Sequence, residues 1–193
     1  VEISREPLGV IGIISPWNFP IAIPAWKAAP AMMCGNAVIL KPASLTIGSA
    51  IALTEIISKQ DIPKGLFNLV LGSGSDIGNK IAVHPEIAAI SFTGSVQTGK
   101  QLYKDASSTM KKMQMEMGSK NPLIVMDDAD LKTAITCAVS GAYGGTGQKC
   151  TASSRLIVHE NIYRKFIDGL LENTKNLKVG HALDEGTQMG PVS

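Results

Sequence analysis

The chain has 193 residues, 45% of them hydrophobic and 18% charged, which is enough apolar material for one sizeable core and the beginning of a second, and excludes a fibrous or disordered chain. Its 18 basic and 16 acidic side chains are mixed along the sequence for a formal charge of +2, and the densest basic spot, Lys111-Lys112, reads as solvated surface, so no nucleic-acid partner is expected. Three cysteines without C-x-x-C spacing argue against a disulfide framework and against a metal site, and for a reducing, cytoplasmic compartment. Apolar stretches such as Gly9 to Ser15 are too short to cross a membrane.

The first part of the chain alternates apolar, β-type runs with helical patterns. Strands are predicted at Val10–Ser15, Ala37–Lys41, Phe67–Leu71 and Ala88–Thr93. The helices between and after them cover Ala22–Met33, Ile47–Lys59, Asp76–Ala82 and Val96–Ala106, with Gly, Pro, Ser and Asn gathered at the junctions. Right-handed β-α-β crossovers then give an α/β fold with a doubly wound parallel sheet. A second rhythm starts near Lys111, with a strand to Glu116, the turn Gly118-Ser119-Lys120-Asn121-Pro122, a strand Leu123–Met126 and a helix from Asp130 to Tyr143. The acidic run Asp127-Asp128-Ala129-Asp130 suits that helix's N-terminus. A Gly-rich loop, a strand Arg155–His159 and a helix Tyr163–Asn173 follow. The expected division is residues 1–117 as one domain and 118–193 as the start of a second α/β domain.

Gly147-Gln148-Lys149-Cys150-Thr151 sets a cysteine on a glycine-containing loop between a helix and a strand. There Lys149 and the loop N–H groups would favour a thiolate nucleophile, while a small buried hydrophobe is the other reading open to a free cysteine. Cys34 and Cys137, among Ala, Met and Val in helices, are expected to be buried. Glu116 ends an apolar run and is expected to emerge from a poorly solvated strand end, where a carboxylate is suited to act as a general base; a surface carboxylate is the alternative. Pro16-Trp17-Asn18-Phe19-Pro20 holds an amide rigidly after the first strand, as an oxyanion donor or simply as a turn. Gly72-Ser73-Gly74 and Thr93-Gly94-Ser95 follow strands and open helices, where backbone N–H groups can approach a phosphate, although neither is the G-x-G-x-x-G fingerprint. Lys41-Pro42 closes a central strand, where open α/β sheets bind ligands.

Taken together, Pro16 to Pro20, Lys41-Pro42-Ala43-Ser44, Phe92 to Ser95, Glu116 to Pro122 and Gly147 to Cys150 resemble the aldehyde dehydrogenase superfamily in order and approximate spacing, from one end of the chain to the other. The resemblance implies a Rossmann-like cofactor domain over residues 1–117, followed by the start of the catalytic domain. It implies that Cys150 attacks the aldehyde to give a thiohemiacetal, that hydride passes to NADP or NAD, and that Glu116 serves as general base for hydrolysis of the resulting thioester. Asn18 and the Cys150 N–H match the oxyanion hole. Lys41 matches the adenosine-ribose contact, Ser95 a pyrophosphate contact, and Trp17 and Gly74 the cofactor-pocket wall. Asn121-Pro122, Asp127 to Leu131 and the run around Cys150 look like the branch that oxidises α-ketoglutaric semialdehyde, with succinic semialdehyde and aliphatic aldehydes as competing substrates.

The chain departs from the family pattern at two positions. Ser44 stands where NAD-preferring members carry a glutamate that repels a 2′-phosphate, so NADP is expected to be accepted. Ser119 stands where a second glycine is common. The chain is also short for the family, lacking its downstream Glu-x-Phe-Gly-Pro segment, its oligomerising C-terminal strand and its N-terminal helices. A partial chain is therefore expected, with a homo-oligomer as the full-length form. An inactive cofactor-binding or interaction fragment is the alternative. An acyltransferase using Cys150 would need a histidine base, and His84, His159 and His181 fit no such role.

Overall fold

A computed structural model describes residues 1–193. The chain divides into two compact units, Val1–Met117 and Gly118–Ser193.

In the first unit five strands, β1 (Val10–Ile14), β2 (Ala37–Lys41), β3 (Phe67–Leu69), β4 (Ile87–Gly94) and β5 (Lys112–Met117), form one parallel sheet in the order β3-β2-β1-β4-β5. Their alternating side chains feed two cores. Ile11 and Ile13 of β1 join Val38, Leu40 and Ala89, with Ala28 of α1 (Ala22–Met33) and Ala50 of α2 (Ile47–Ser58). On the opposite face Ile14, Ile90 and Phe92 pack with Ile81 of α3 (Asn79–Val83) and Leu102 of α4 (Val96–Ala106). Helices on both faces make the sheet doubly wound, as the sequence rhythm requires. Gly12 allows α3 to lie close to β1, since a Cβ there would stand 2.5 Å from Ile81 Cγ2. The entry to β1 is held by the buried Asn36, whose Oδ1 accepts from the N–H groups of Leu8 at 2.7 Å and Gly9 at 3.1 Å.

Helix starts follow local chemistry. Ser73 caps a π-helical turn, Gly74–Gly78, that runs into α3, its Oγ accepting from the Asp76 N–H at 3.1 Å. Ser95 caps α4 by accepting from the Thr98 N–H at 3.1 Å.

The second unit contains a two-stranded parallel sheet, β6 (Asn121–Val125) and β7 (Ser153–Val158), covered by α5 (Leu131–Tyr143) and α6 (Tyr163–Lys175). Its core is Val125, Ile135, Ala138 and Phe166, the last fully buried. Of the acidic run, Asp130 is the cap of α5: Oδ1 accepts from the Thr133 N–H at 2.8 Å, and the hydrogen bonding with Thr133 holds the carboxyl below its ordinary range.

Three expectations are corrected. Asn121 and Pro122 belong to β6 rather than to a turn; a proline is tolerated there because it stands at the strand's beginning, where the register shifts. Cys34 is exposed because it ends α1 instead of facing the sheet. Cys137 is exposed because α5 buries the stripe carrying Ile135 and Ala138, not its own.

Candidate active site

The parallel register puts most of the candidate residues of the first unit at one edge. Ile14 pairs with Lys41 on one side and Phe92 on the other, and Thr93 pairs with Glu116, so β1, β2, β4 and β5 end nearly level. Trp17 and Asn18 follow β1, Lys41 closes β2, Ser44 opens the next turn, Gly74 follows β3, Ser95 follows β4 and Glu116 lies near the end of β5. All seven therefore stand at the carboxyl ends of one sheet. Because the chain runs outward from β1 to β3 and then crosses to β4, the β1/β4 pair is the topological switch point, where open α/β sheets bind their ligands.

A cleft of about 750 Å3 opens at this edge between the π turn and α4. Ile14, Phe92 and Leu102 give it an apolar part, Gly74 and Gly78 line the side of the π turn, and Thr98, Gln101 and Asp105 of α4 are polar. A Cβ at Gly74 would meet nothing, and at Gly78 the nearest atom would be Ile14 Cδ1 at 4.0 Å, so both glycines leave room for a planar or phosphorylated group. Lys41 is buried, its Nζ donating to the Pro42 carbonyl at 3.0 Å, and burial pushes the ammonium pKa below its ordinary value. Ser44 is exposed on a short 3-10 turn. Ser95 Oγ donates to Thr98 Oγ1 at 2.8 Å, so a bond to an anion would take its single proton from that partner.

Glu116 departs from expectation in its solvation. Met113, Met115 and Met117 of β5 pack toward the core, which leaves Gln114 and Glu116 on the other, open face, and the carboxylate is exposed. Gln114 Nε2 donates to Glu116 Oε1 at 3.1 Å. Lys27 of α1 donates to Gln114 Oε1 at 2.7 Å and to Ser91 Oγ at 2.8 Å. Burial lowers the Lys27 pKa, and the charge of Glu116 opposes that shift. The sequence reading missed Lys27 and Gln114. The i, i+2 spacing of Gln114 and Glu116 in a strand was the available signal for one of them; nothing local marks the other.

Cys150 belongs to the second unit and is exposed. The loop before it runs through three consecutive left-handed residues, Gly145 (φ 62°), Thr146 (φ 58°) and Gly147 (φ 68°). A Cβ at Gly147 would stand 2.7 Å from the Ala142 carbonyl oxygen, so glycine is required there on both grounds. Thr146 is an unusual residue for this conformation, and strain of this kind persists only where surrounding contacts hold it. Beyond the loop, Asn121 Nδ2 of β6 donates to the carbonyls of Cys150 at 2.7 Å and Ala152 at 3.1 Å. The sequence pattern puts Asn121 in a turn, whereas its hydrogen-bond partner is 29 residues away. Lys149 lies back over the glycines, its Nζ 3.3 Å from where a Gly144 Cβ would be.

Known proteins resemble this chain over nearly its whole extent. The profile of the aldehyde dehydrogenase family matches residues 1–193. An α-ketoglutaric semialdehyde dehydrogenase of Bacillus subtilis is 47% identical over 98% of the chain and 39% of its own length. A betaine aldehyde dehydrogenase of Brucella ovis is likewise 47% identical, over 97% of the chain and 38% of its own. Among solved structures, a betaine aldehyde dehydrogenase of Staphylococcus aureus in complex with NAD+ superposes with a TM-score of 0.95 at 40% identity, covering 97% of this chain and 37% of that one. An NADP-dependent enzyme of E. coli gives the same score and identity, covering 97% and 39%. The chain thus spans about two fifths of the length of the curated relatives it matches. With a family match from first residue to last, on a doubly wound sheet of the same form, the chain belongs to the aldehyde dehydrogenase family.

Proposed function

We propose that the protein to which these residues belong oxidises an aldehyde to a carboxylate with NADP or NAD, through a thioester on Cys150. The observation that carries this reading is the meeting of Trp17, Asn18, Lys41, Gly74, Ser95 and Glu116 at the carboxyl edge of one parallel sheet, beside a cleft able to take a nucleotide. Residues 1–117 serve as the dinucleotide-binding domain, and residues 118–193 as the nucleophile-bearing start of the catalytic domain.

The cofactor half-site fits such a group. Gly74 and Gly78 leave space at the cleft, Lys41 supplies a cation at the end of β2 for ribose hydroxyls, and Ser95 stands at the start of α4 where N–H groups face an anion. Trp17 supplies wall at the switch point. The exposed Ser44 brings neither charge nor bulk against a 2′-phosphate, which favours acceptance of NADP. A bound nicotinamide supplies the hydride acceptor.

The remaining chemistry belongs to side chains. The Cys150 thiolate adds to the aldehyde carbonyl, forming a C–S bond and an alkoxide that the Asn18 amide and the Cys150 N–H stabilise. After loss of hydride the carbon is a thioester. Glu116 takes a proton from water, the hydroxide attacks the acyl carbon, and the C–S bond breaks to return the thiolate and release the acid.

For the substrate, α-ketoglutaric semialdehyde is favoured by the semialdehyde-branch look of the residues around Cys150 and by the Bacillus subtilis relative. Betaine aldehyde is the second reading, because the Brucella ovis enzyme is equally identical. The test is NADPH and NADH formation by the complete protein from each aldehyde, with Cys150→Ala alongside. Turnover of the semialdehyde that disappears in the variant supports the proposal. Turnover of betaine aldehyde alone selects the second substrate, and a variant as active as the parent removes Cys150 from the mechanism.

A further inference from the structure

We propose that Gln114 is a positioning residue for the Glu116 carboxylate, a bridge that ties it to the Lys27 ammonium without letting the two ions meet; the inference rests on the reading of Glu116 as the base of thioester hydrolysis. On β5 the side chains of Gln114 and Glu116 share a face, and the parallel register sets Ser91 of β4 opposite Gln114. Lys27 reaches that face from α1 and donates to both Ser91 Oγ, at 2.8 Å, and Gln114 Oε1, at 2.7 Å. Ser91 donates its own proton to the same Oε1. The far end of the amide, Nε2, donates to Glu116 Oε1 at 3.1 Å.

The direction of the amide follows from its neighbours. An ammonium has only donors and an ionised carboxylate only acceptors, so the Gln114 oxygen must face Lys27 and its nitrogen must face Glu116. The arrangement has a chemical consequence. A direct Lys27–Glu116 ion pair would fix the carboxylate against a cation and compete for the lone pairs a base needs. The amide occupies one lone pair on Oε1 and leaves Oε2 for water. It also stands between the two ions with its dipole aligned with the charge of Lys27. Exposed and otherwise unrestrained on its open face, Glu116 has this bond as its tether to the sheet.

Two substitutions separate positioning from mere structure. Gln114→Leu removes the whole bridge. Gln114→Glu keeps an acceptor for Lys27 and Ser91, and so keeps α1 tied to β5, but it sets a carboxylate against Glu116 and drives it away. The assay is hydrolysis of 4-nitrophenyl acetate by the complete protein. This activated ester acylates a thiolate directly, so the result depends on neither the natural aldehyde nor the cofactor. The initial burst of nitrophenolate reports acylation, and its absence in Cys150→Ala assigns it to that thiol. The slower phase reports hydrolysis of the acyl-enzyme.

Both Gln114 variants are expected to keep the burst and to slow the second phase about tenfold, a part of the 100-fold or more expected from Glu116→Gln. If Glu116→Gln slows the second phase while Gln114→Glu runs at the parent rate, the bridge is only structural and the inference is overturned by itself. If Glu116→Gln leaves the second phase unchanged, the base assignment fails and the inference fails with it.

Discussion

Asn121→Ala should loosen the loop that carries Cys150. The parent amide gives two hydrogen bonds across 29 and 31 residues of sequence, to the carbonyls of Cys150 and Ala152. Cys150 is exposed, so water replaces the first bond and its net loss is about 1 kcal/mol. Ala152 is only 9% exposed, and leaving its carbonyl without a partner costs roughly 1–2 kcal/mol more. A local destabilisation of about 2–3 kcal/mol corresponds to roughly 30- to 150-fold easier opening. Native-state amide hydrogen exchange reads this at Gln148 and Ala152, whose N–H groups donate within the loop to Gly145 and Lys149. Asn121→Asp should be worse than Ala, because a carboxylate would face two carbonyl oxygens. Unchanged exchange in the alanine variant, or a milder effect from aspartate than from alanine, would refute the assignment of Asn121 as the tether.

Other consequences can be checked separately. Ser44→Glu in the complete protein should shift cofactor preference toward NAD by placing a negative charge where a 2′-phosphate would lie; an unchanged NADP/NAD ratio of kcat/KM would remove that position from cofactor choice. Phe166→Ala should cost roughly 3–5 kcal/mol in urea unfolding of the second unit, since the ring is fully buried against Val125, Ile135 and Ala138; a loss under 1 kcal/mol would contradict that packing. Asp130 has a folded pKa below its unfolded value, so its contribution is present above the unfolded pKa and is lost as pH falls through the folded one. Asp130→Ala should therefore be less stable than the parent near neutral pH, with the gap closing in acid. A gap independent of pH would show that the cap does not act through its charge.

The architecture was legible because its signal is local. The inner strands β1, β2 and β4 are short apolar runs, β5 alternates Met with polar residues, each helix is punctuated by Gly, Pro, Ser or Asn, and Ala22–Met33, Ala37–Lys41 and Val96–Ala106 fall where the pattern puts them. The residues of the carboxyl edge were singled out as motifs, and the sheet order explains why segments from Trp17 to Glu116 share that edge. What escaped was set by tertiary contact. Lys27 meets Gln114 across 87 residues, and Asn121 meets Cys150 through a parallel pairing of β6 with β7 that no turn announces. The exposure of Cys34 and Cys137 escaped for the same reason, since apolar neighbours in sequence do not say which stripe of a helix faces the core. Glu116 was placed on the right strand, but its solvation depends on which face the three methionines of β5 take.

Three exposed thiols, Cys34, Cys137 and Cys150, make one measurement decisive for the account. The complete protein is mixed with α-ketoglutaric semialdehyde and NADP, quenched in acid within the first turnovers, digested, and the peptide carrying the acyl mass is identified. The acyl group is expected on Cys150 alone, with a stoichiometry that rises when Glu116 is replaced by Gln. An acyl group on Cys34 or Cys137, or steady oxidation of the aldehyde with no acylated cysteine and no loss in Cys150→Ala, would contradict it.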